Sequence, residues 1–294
     1  MAVYSIRDLE NLSGIKAHTI RIWEKRYKLI EPHRTNTNIR YYTDYDLKKI
    51  LNVAVLNKHG IKISNIVKLN DAELREEIMR VSDANPEVKH AVDSLIVAMI
   101  DMDEIKFSAV LSKSVSKKGF KGAMLEVVYP FLNRIGVMWM AGDVNPVQEH
   151  FVSYLIRQKV IAAIDDISGA FRTDAKSFLL FLPEGEWHEI GLLFSSYLIK
   201  EAGHKVIYLG QCVPYRDVLA TGATNQVDHL LLAGITSQPE FNFISYLEDL
   251  GGAFPDKKIL FFSRFLKTDA VNLPGNYRHL TSVPDLVRYL EVLG

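Results

Sequence analysis

From Lys176 to the carboxyl terminus short apolar runs alternate with helix-like segments, and this restricts the fold of the 294-residue chain more than any other feature. Strand-like runs at 178–182, 205–209, 229–233 and 258–262 are interleaved with helical spacing at 189–202, 215–223, 241–250 and 284–293. Repeated strand–helix units build a parallel sheet covered by helices, so residues 176–294 are expected to form a Rossmann-like (flavodoxin-like) domain. Such a sheet presents ligand-binding groups at the carboxyl edge of its strands. The first run leads into Glu186-Trp187-His188-Glu189-Ile190-Gly191, an E-x-H-x-x-G element. It places one imidazole in the loop after a strand and a glycine at the start of a helix. Cys212 is the only cysteine, which excludes an internal disulfide and a thiolate-rich metal site. An imidazole offered alone to a large metal complex is the reading that remains sharpest.

Ahead of this domain, residues 87–170 read as a helical bundle. Val92, Leu95, Ile96, Met99 and Ile100 recur at helical spacing, as do Leu125, Val128, Phe131, Leu132 and Ile135. The bundle contains Trp139-Met140-Ala141-Gly142-Asp143, then Glu149-His150 at the start of a new helix. A core Trp and a surface acid are one reading of that segment, and a ligand-facing set is the other. The polar stretch 81–86 reads as a linker.

Residues 1–80 form a third unit. Up to Asn70 the chain carries 13 Lys and Arg against 6 Asp and Glu, although net charge over the whole chain is zero. A cationic end on a neutral chain points to a polyanionic partner. Residues 4–12 read as a short helix with Ser5 as its cap, Ser13-Gly14 as a turn, and 17–25 as a second helix. That second helix would bury Ile20 and Trp23 and turn His18, Thr19, Arg21 and Arg26 outward. Two short helices about a glycine turn form a helix-turn-helix, whose second helix enters the major groove. Residues 31–42 are polar, rich in turn formers and carry Arg34 and Arg40, as a phosphate-gripping β-wing would. Tyr41 and Tyr42 read as wing packing, with Tyr41 counted in the DNA-contacting set. Thr43 is expected to cap a helix from Asp44 to about His59, ended by Gly60, and a further helix begins near Ser64.

The elements Tyr4-Ser5-Ile6, Leu12-Ser13-Gly14, Thr19-Ile20-Arg21-Ile22-Trp23-Glu24-Lys25-Arg26-Tyr27 and Arg40-Tyr41-Tyr42 resemble the winged-helix DNA-binding domain of the MerR family. The resemblance implies that His18, Thr19, Arg21, Arg26, Arg34, Arg40 and Tyr41 contact double-stranded promoter DNA. The second and third units resemble the cobalamin-binding module of methionine synthase-type corrinoid proteins and cobalamin-dependent repressors, whose D-x-H-x-x-G appears here with Glu for Asp. By that resemblance His188 is the lower ligand to cobalt, Glu186 holds its other nitrogen, and Gly191 lets backbone approach the corrin edge. The spacing from Trp139 to Glu149-His150 is similar to a signature of the CarH/LitR group of light-responsive adenosylcobalamin repressors. There these residues cap the cofactor's upper face.

Two departures bear on that resemblance. Met140 stands where many members of the group carry a His. Ala233-Gly234-Ile235-Thr236-Ser237 and Phe262-Ser263 replace the S-x-L and Gly-Gly that admit the nucleotide tail, and Phe262 would crowd it. The expected protein is a multidomain chain of winged helix, helical bundle and α/β sheet. It would be a non-enzymatic, cytoplasmic regulator, a homo-oligomer (dimer or tetramer), without a membrane partner. Adenosylcobalamin and light would control it. A light-independent cobalamin or small-ligand sensor, a corrinoid carrier, and a non-binding cobalamin domain used for dimerisation are the alternatives. His204 and His229 read as hydrogen-bonded or solvated residues, and Cys212 as inert at a strand end.

Overall fold

The computed structural model describes residues 4–34, 38, 40–58, 60–70, 73–74, 77, 86–141, 144–167, 169, 171–235, 241–263 and 275–293. The expected wing tip 35–37, residues 81–85 of the expected linker 81–86, Gly142-Asp143 and Thr236-Ser237 lie outside them, while Pro86 opens a helix. The chain forms two compact units, Met1–Val152 and Ser153–Gly294.

In the first unit α1 (Ile6–Ser13) opens with a capping box, in which Ser5 and Asp8 satisfy each other's backbone N–H. It ends at Gly14, whose φ of 74° is the left-handed cap that glycine adopts without strain. α2 (Ala17–Tyr27) follows after three residues, and Ala17 N–H donates to Glu10 Oε2 at 3.1 Å, satisfying a first-turn donor. β1 (His33–Arg34) and β2 (Arg40–Tyr41) pair antiparallel as the wing. α3 (Asp44–Lys58) begins with Thr43 and Asp46 each donating its backbone N–H to the other's side-chain oxygen, and a four-residue helix α4 (Ile63–Ile66) follows. Leu9, Ile20, Trp23, Tyr42, Ile50 and Leu56 meet in one buried core.

The helical segment comprises α5 (Pro86–Ile100), α6 (Glu104–Ala123), a π-turn at Met124–Val128, α7 (Tyr129–Ala141) and α8 (Pro146–Asp165). Leu95, Met99, Leu111, Val128 and Phe131 are buried, and the Phe107 and Phe131 rings pack 5.6 Å apart. Two features escaped the sequence reading. Gly119 (φ 68°, ψ 167°) kinks α6, and Ile100, expected inside, is 49% exposed. Ile100 sits at the end of α5, where the chain turns into α6, so it lies past the last turn that packs.

The second unit is built on five parallel strands: β3 (Ser177–Pro183), β4 (Lys205–Val213), β5 (His229–Gly234), β6 (Lys258–Ser263) and β7 (Tyr277–Leu280), in the order β4-β3-β5-β6-β7. The helices between them are α9 (Ile190–Glu201), α10 (Tyr215–Thr224), α11 (Phe243–Ala253) and the terminal α12 (Val283–Val292). Leu179, Phe181, Leu230, Leu232, Ile259 and Phe261 share one face and its core. Central strands β3 and β5 are buried on both faces, which is why each reads as a continuous apolar run. The chain leaves β3 for β4 on one side and returns to β5 on the other. The switch in strand order therefore falls between the carboxyl ends of β3 and β5, where open α/β sheets bind ligands.

Candidate functional site

At the end of β3 the chain turns through Gly185 (φ 80°) and brings Glu186 back under the loop it belongs to. Glu186 is only 2% exposed. Its Oε1 accepts the backbone N–H of Trp187 (3.0 Å) and His188 (3.1 Å) and lies 2.6 Å from His188 Nδ1. Its Oε2 accepts the N–H of Ile235, the residue after β5, at 2.9 Å. One carboxylate thus spans the switch point between β3 and β5. With Nδ1–H donating to a carboxylate, the imidazole lone pair belongs to Nε2, on a side chain that is 62% exposed. This is the arrangement by which a carboxylate fixes ring orientation and raises the basicity of a metal-binding His. Among the described residues no group of three or more His, Cys, Asp or Glu could hold a metal ion. A single oriented imidazole matches the demand of a metal that brings its remaining ligands with it, as cobalt in a corrin does. A Cβ placed on Gly191 would meet no atom within 4 Å, so the start of α9 is open to a close approach from outside. The donor set fits the lower side of a corrinoid.

The strand beside the loop is shaped to support it. β4 runs on to Val213 through register shifts against β3, with Gly210 (φ 87°) and Cys212 (φ 55°) in left-handed conformations. Cys212 is no bystander at a strand end. Its N–H donates to Glu186 O at 3.2 Å, and its Sγ accepts from Gly185 N–H at 3.3 Å. Glu189, next to His188, is also buried, at 8% exposure. It accepts from Arg157 Nε on α8 at 2.7 Å and from Tyr208 OH on β4 at 3.0 Å. Burial, and then the Glu189 charge, push the Tyr208 phenol far above its usual range, while the hydrogen bond to Glu189 raises Arg157. The sequence reading missed Ile235, Cys212, Glu189, Arg157 and Tyr208. Their partners are distant in sequence or are backbone atoms, so no local spacing marks them.

Of the expected upper-face residues, Trp139 on α7 is 57% exposed. On α8 Glu149 is half-buried and His150 exposed, with His150 Nε2 3.8 Å from Glu149 Oε2. The turn into that helix is held by Asn145, whose Oδ1 accepts Val147 N–H at 3.0 Å and whose N–H donates to Gln148 Oε1 at 3.0 Å. Phe262 and Ser263 are half-buried at the end of β6. On β5 a Cβ at Gly234 would lie 2.7 Å from the Phe243 ring, so that glycine serves helix packing within the domain. His204 and His229 are fully or nearly fully buried and each is hydrogen-bonded through one nitrogen, to Lys176 N–H and to Tyr289 OH.

In the winged unit Ile20 and Trp23 are buried, while His18, Arg21, Arg26, Arg34 and Arg40 are exposed and Thr19 and Tyr41 half-buried. Tyr42 is fully buried, donates through its hydroxyl to Glu24, and exchanges backbone hydrogen bonds with Tyr4. It ties the wing to α2 and to the start of the chain. Tyr41 stacks on His33 with centroids 5.4 Å apart, and Arg34 Nη1 donates to Asn38 Oδ1 at 2.6 Å. The exposed cations therefore stand on a wing and a helix held to one core.

A cationic helix-turn-helix with a wing, followed by helices and a parallel sheet offering one oriented imidazole, defines a DNA-binding regulator with a corrinoid-type module. The comparisons with known proteins agree. Residues 4–73 match the model of the MerR HTH family regulatory protein, and residues 91–163 that of the B12 binding domain. The HTH-type transcriptional repressor CarH of Myxococcus xanthus is 28% identical over 258 residues, covering 86% of this chain and 85% of that protein. CarA of the same organism is 26% identical over 246 residues, covering 83% and 81%. The monomethylamine corrinoid protein of Methanosarcina barkeri has the same fold over 69% of this chain and 99% of its own, with a TM-score of 0.54 at 14% identity. The chain belongs to the MerR family of transcriptional regulators and joins that family's helix-turn-helix domain to a B12-binding domain. No helix among the described residues is long and apolar enough to cross a membrane.

Proposed function

We propose that the chain is a transcriptional repressor whose grip on promoter DNA is set by adenosylcobalamin and released by light. Residues 1–80 bind the operator, and residues 87–170 and 176–294 bind the cofactor. The observation that carries the reading is the 2.6 Å contact between His188 Nδ1 and buried Glu186, which leaves Nε2 as the nitrogen for cobalt. Trp139, Glu149, His150 and Gly191 are the further cofactor contacts. When bound, adenosylcobalamin supplies a cobalt–carbon bond that green light breaks. The chain's own part would be to hold the metal through His188 Nε2, with Glu186 fixing that ring through Nδ1. A homo-oligomer, dimer or tetramer, matches the two-fold symmetry of most operators, and linked modules make DNA affinity sensitive to assembly.

The test is an absorption titration of the full chain with adenosylcobalamin, followed by operator binding in darkness and after green illumination. A spectrum displaced on binding and left undisplaced in His188→Ala supports the lower-ligand role. A drop in operator affinity on illumination supports the light signal. Equal affinity in dark and light leaves a cobalamin sensor without light, the reading that Met140 favours. No binding of any cobalamin leaves the sheet domain as an interaction module.

A further inference from the structure

Helix α2 exposes an aliphatic side chain in the middle of its charged face. Ile22 is 52% exposed, whereas Ile20 and Trp23 on the same helix are buried. Positions 18, 21, 22 and 25 fall at i, i+3, i+4 and i+7, so His18, Arg21, Ile22 and Lys25 line one face, and Arg26 adjoins them, exposed. A β-branched residue does nothing for the helix itself, since its side chain is restricted there. Its exposure also forgoes burial that the neighbouring core offers Ile20.

The surrounding cations call for a polyanion, and they oppose docking of a second copy of the same cationic face. An apolar group set among them calls for an apolar patch within that polyanion. Duplex DNA has one such patch in its major groove, the thymine C5-methyl group. Cations on phosphate position the helix without reading sequence, so the sequence information on this face falls to side chains that reach base edges. We propose that Ile22 is a specificity-determining residue that packs against a thymine methyl group in the bound operator. This rests on the DNA-binding reading of residues 1–80.

The test uses the full chain and a duplex enriched by it from a random pool. Each thymine is replaced singly by deoxyuridine, which removes only the methyl group. The wild-type chain is expected to lose about 4-fold in affinity at one thymine per half-site, the effect of one buried methyl group. Ile22→Ala should be indifferent to that replacement, Ile22→Val should keep it, and both should show the wild-type dependence on salt. Equal sensitivity to deoxyuridine in wild type and Ile22→Ala, or no sensitive thymine at all, overturns the assignment while leaving DNA binding intact. Failure of the chain to enrich any duplex overturns the DNA-binding reading, and the assignment falls with it.

Discussion

Arg157 Nε on α8 donates to Glu189 Oε2 across 2.7 Å, so the residue beside His188 is anchored to that helix. Glu189 is buried and Arg157 is 42% exposed, and the pair is completed by Tyr208 OH. Removing the cation leaves a carboxylate in low dielectric, which costs more than the pair itself is worth. Partial exposure of Arg157 moderates this, so Arg157→Met should destabilise the chain by about 1–2 kcal/mol. Adding Glu189→Gln in the same chain should recover part of the loss, because the buried charge is then gone. Urea midpoints of the wild type, Arg157→Met, Glu189→Gln and the double variant measure the coupling. Additive effects would show that the pair contributes nothing beyond its separate side chains.

Glu186 accepts from Trp187 N–H, His188 N–H and His188 Nδ1 at Oε1 and from Ile235 N–H at Oε2. Glu186→Ala would leave the N–H groups of Trp187, His188 and Ile235 without this acceptor in a partly buried loop, at a cost of about 2–4 kcal/mol. It would also free the imidazole to rotate. Cobalamin affinity should fall about 10–100-fold, the usual effect of losing a partner behind a metal-binding His. Glu186→Gln keeps the shape and should retain more of the stability than of the affinity. Chemical denaturation and the absorption titration separate the two effects.

How much of this was legible follows from where each signal lies. β3 and β5 read as strands because parallel strands covered on both faces need unbroken apolar runs. β7 did not, because Tyr277–Leu280 is a short edge strand interrupted by Arg278 and His279. His188 and Glu186 were legible because they sit two residues apart in one loop. Arg157 and Glu189 are 32 residues apart, and the donor at Ile235 is a backbone N–H with no side-chain signature. Ile22 is an apolar letter on a polar helical face, and helical periodicity marks what α2 buries rather than what it leaves out.

His229 stands under β5 with its ring stacked on Phe178 at 4.3 Å and its Nε2 2.8 Å from Tyr289 OH. Burial is the main cause that lowers its pKa from 6.5 to about 4. His204, Lys176 and Lys258 lower it further, and Asp228 partly opposes them. Between pH 6.5 and 4 the unfolded chain binds a proton that the folded chain refuses. Stability is therefore full above pH 6.5 and falls with pH through that window, by about 3 kcal/mol in all. His204, lowered mainly by burial, acts in the same direction. Urea midpoints at pH 7.5 and pH 5 should differ in this sense, and His229→Gln should flatten the difference. A wild-type midpoint that is level across the window would contradict the burial argument.

Arg40 projects from the wing, exposed and paired through its backbone in register with Arg34. On the proposed DNA-binding role, a guanidinium in that position would meet phosphate rather than base edges, and its contribution would be electrostatic and independent of sequence. Releasing one fewer counterion on binding, Arg40→Ala should weaken binding to operator and to unrelated duplex by similar factors. It should also reduce the slope of log K against log salt by about 1. Tyr42→Phe acts on the same wing from inside: it removes the hydroxyl that donates to Glu24 and nothing that reaches solvent. It should lower stability by about 1 kcal/mol while leaving the salt slope unchanged. A change of slope in Tyr42→Phe, or a loss confined to the operator in Arg40→Ala, would show that the wing reads bases instead of gripping the backbone.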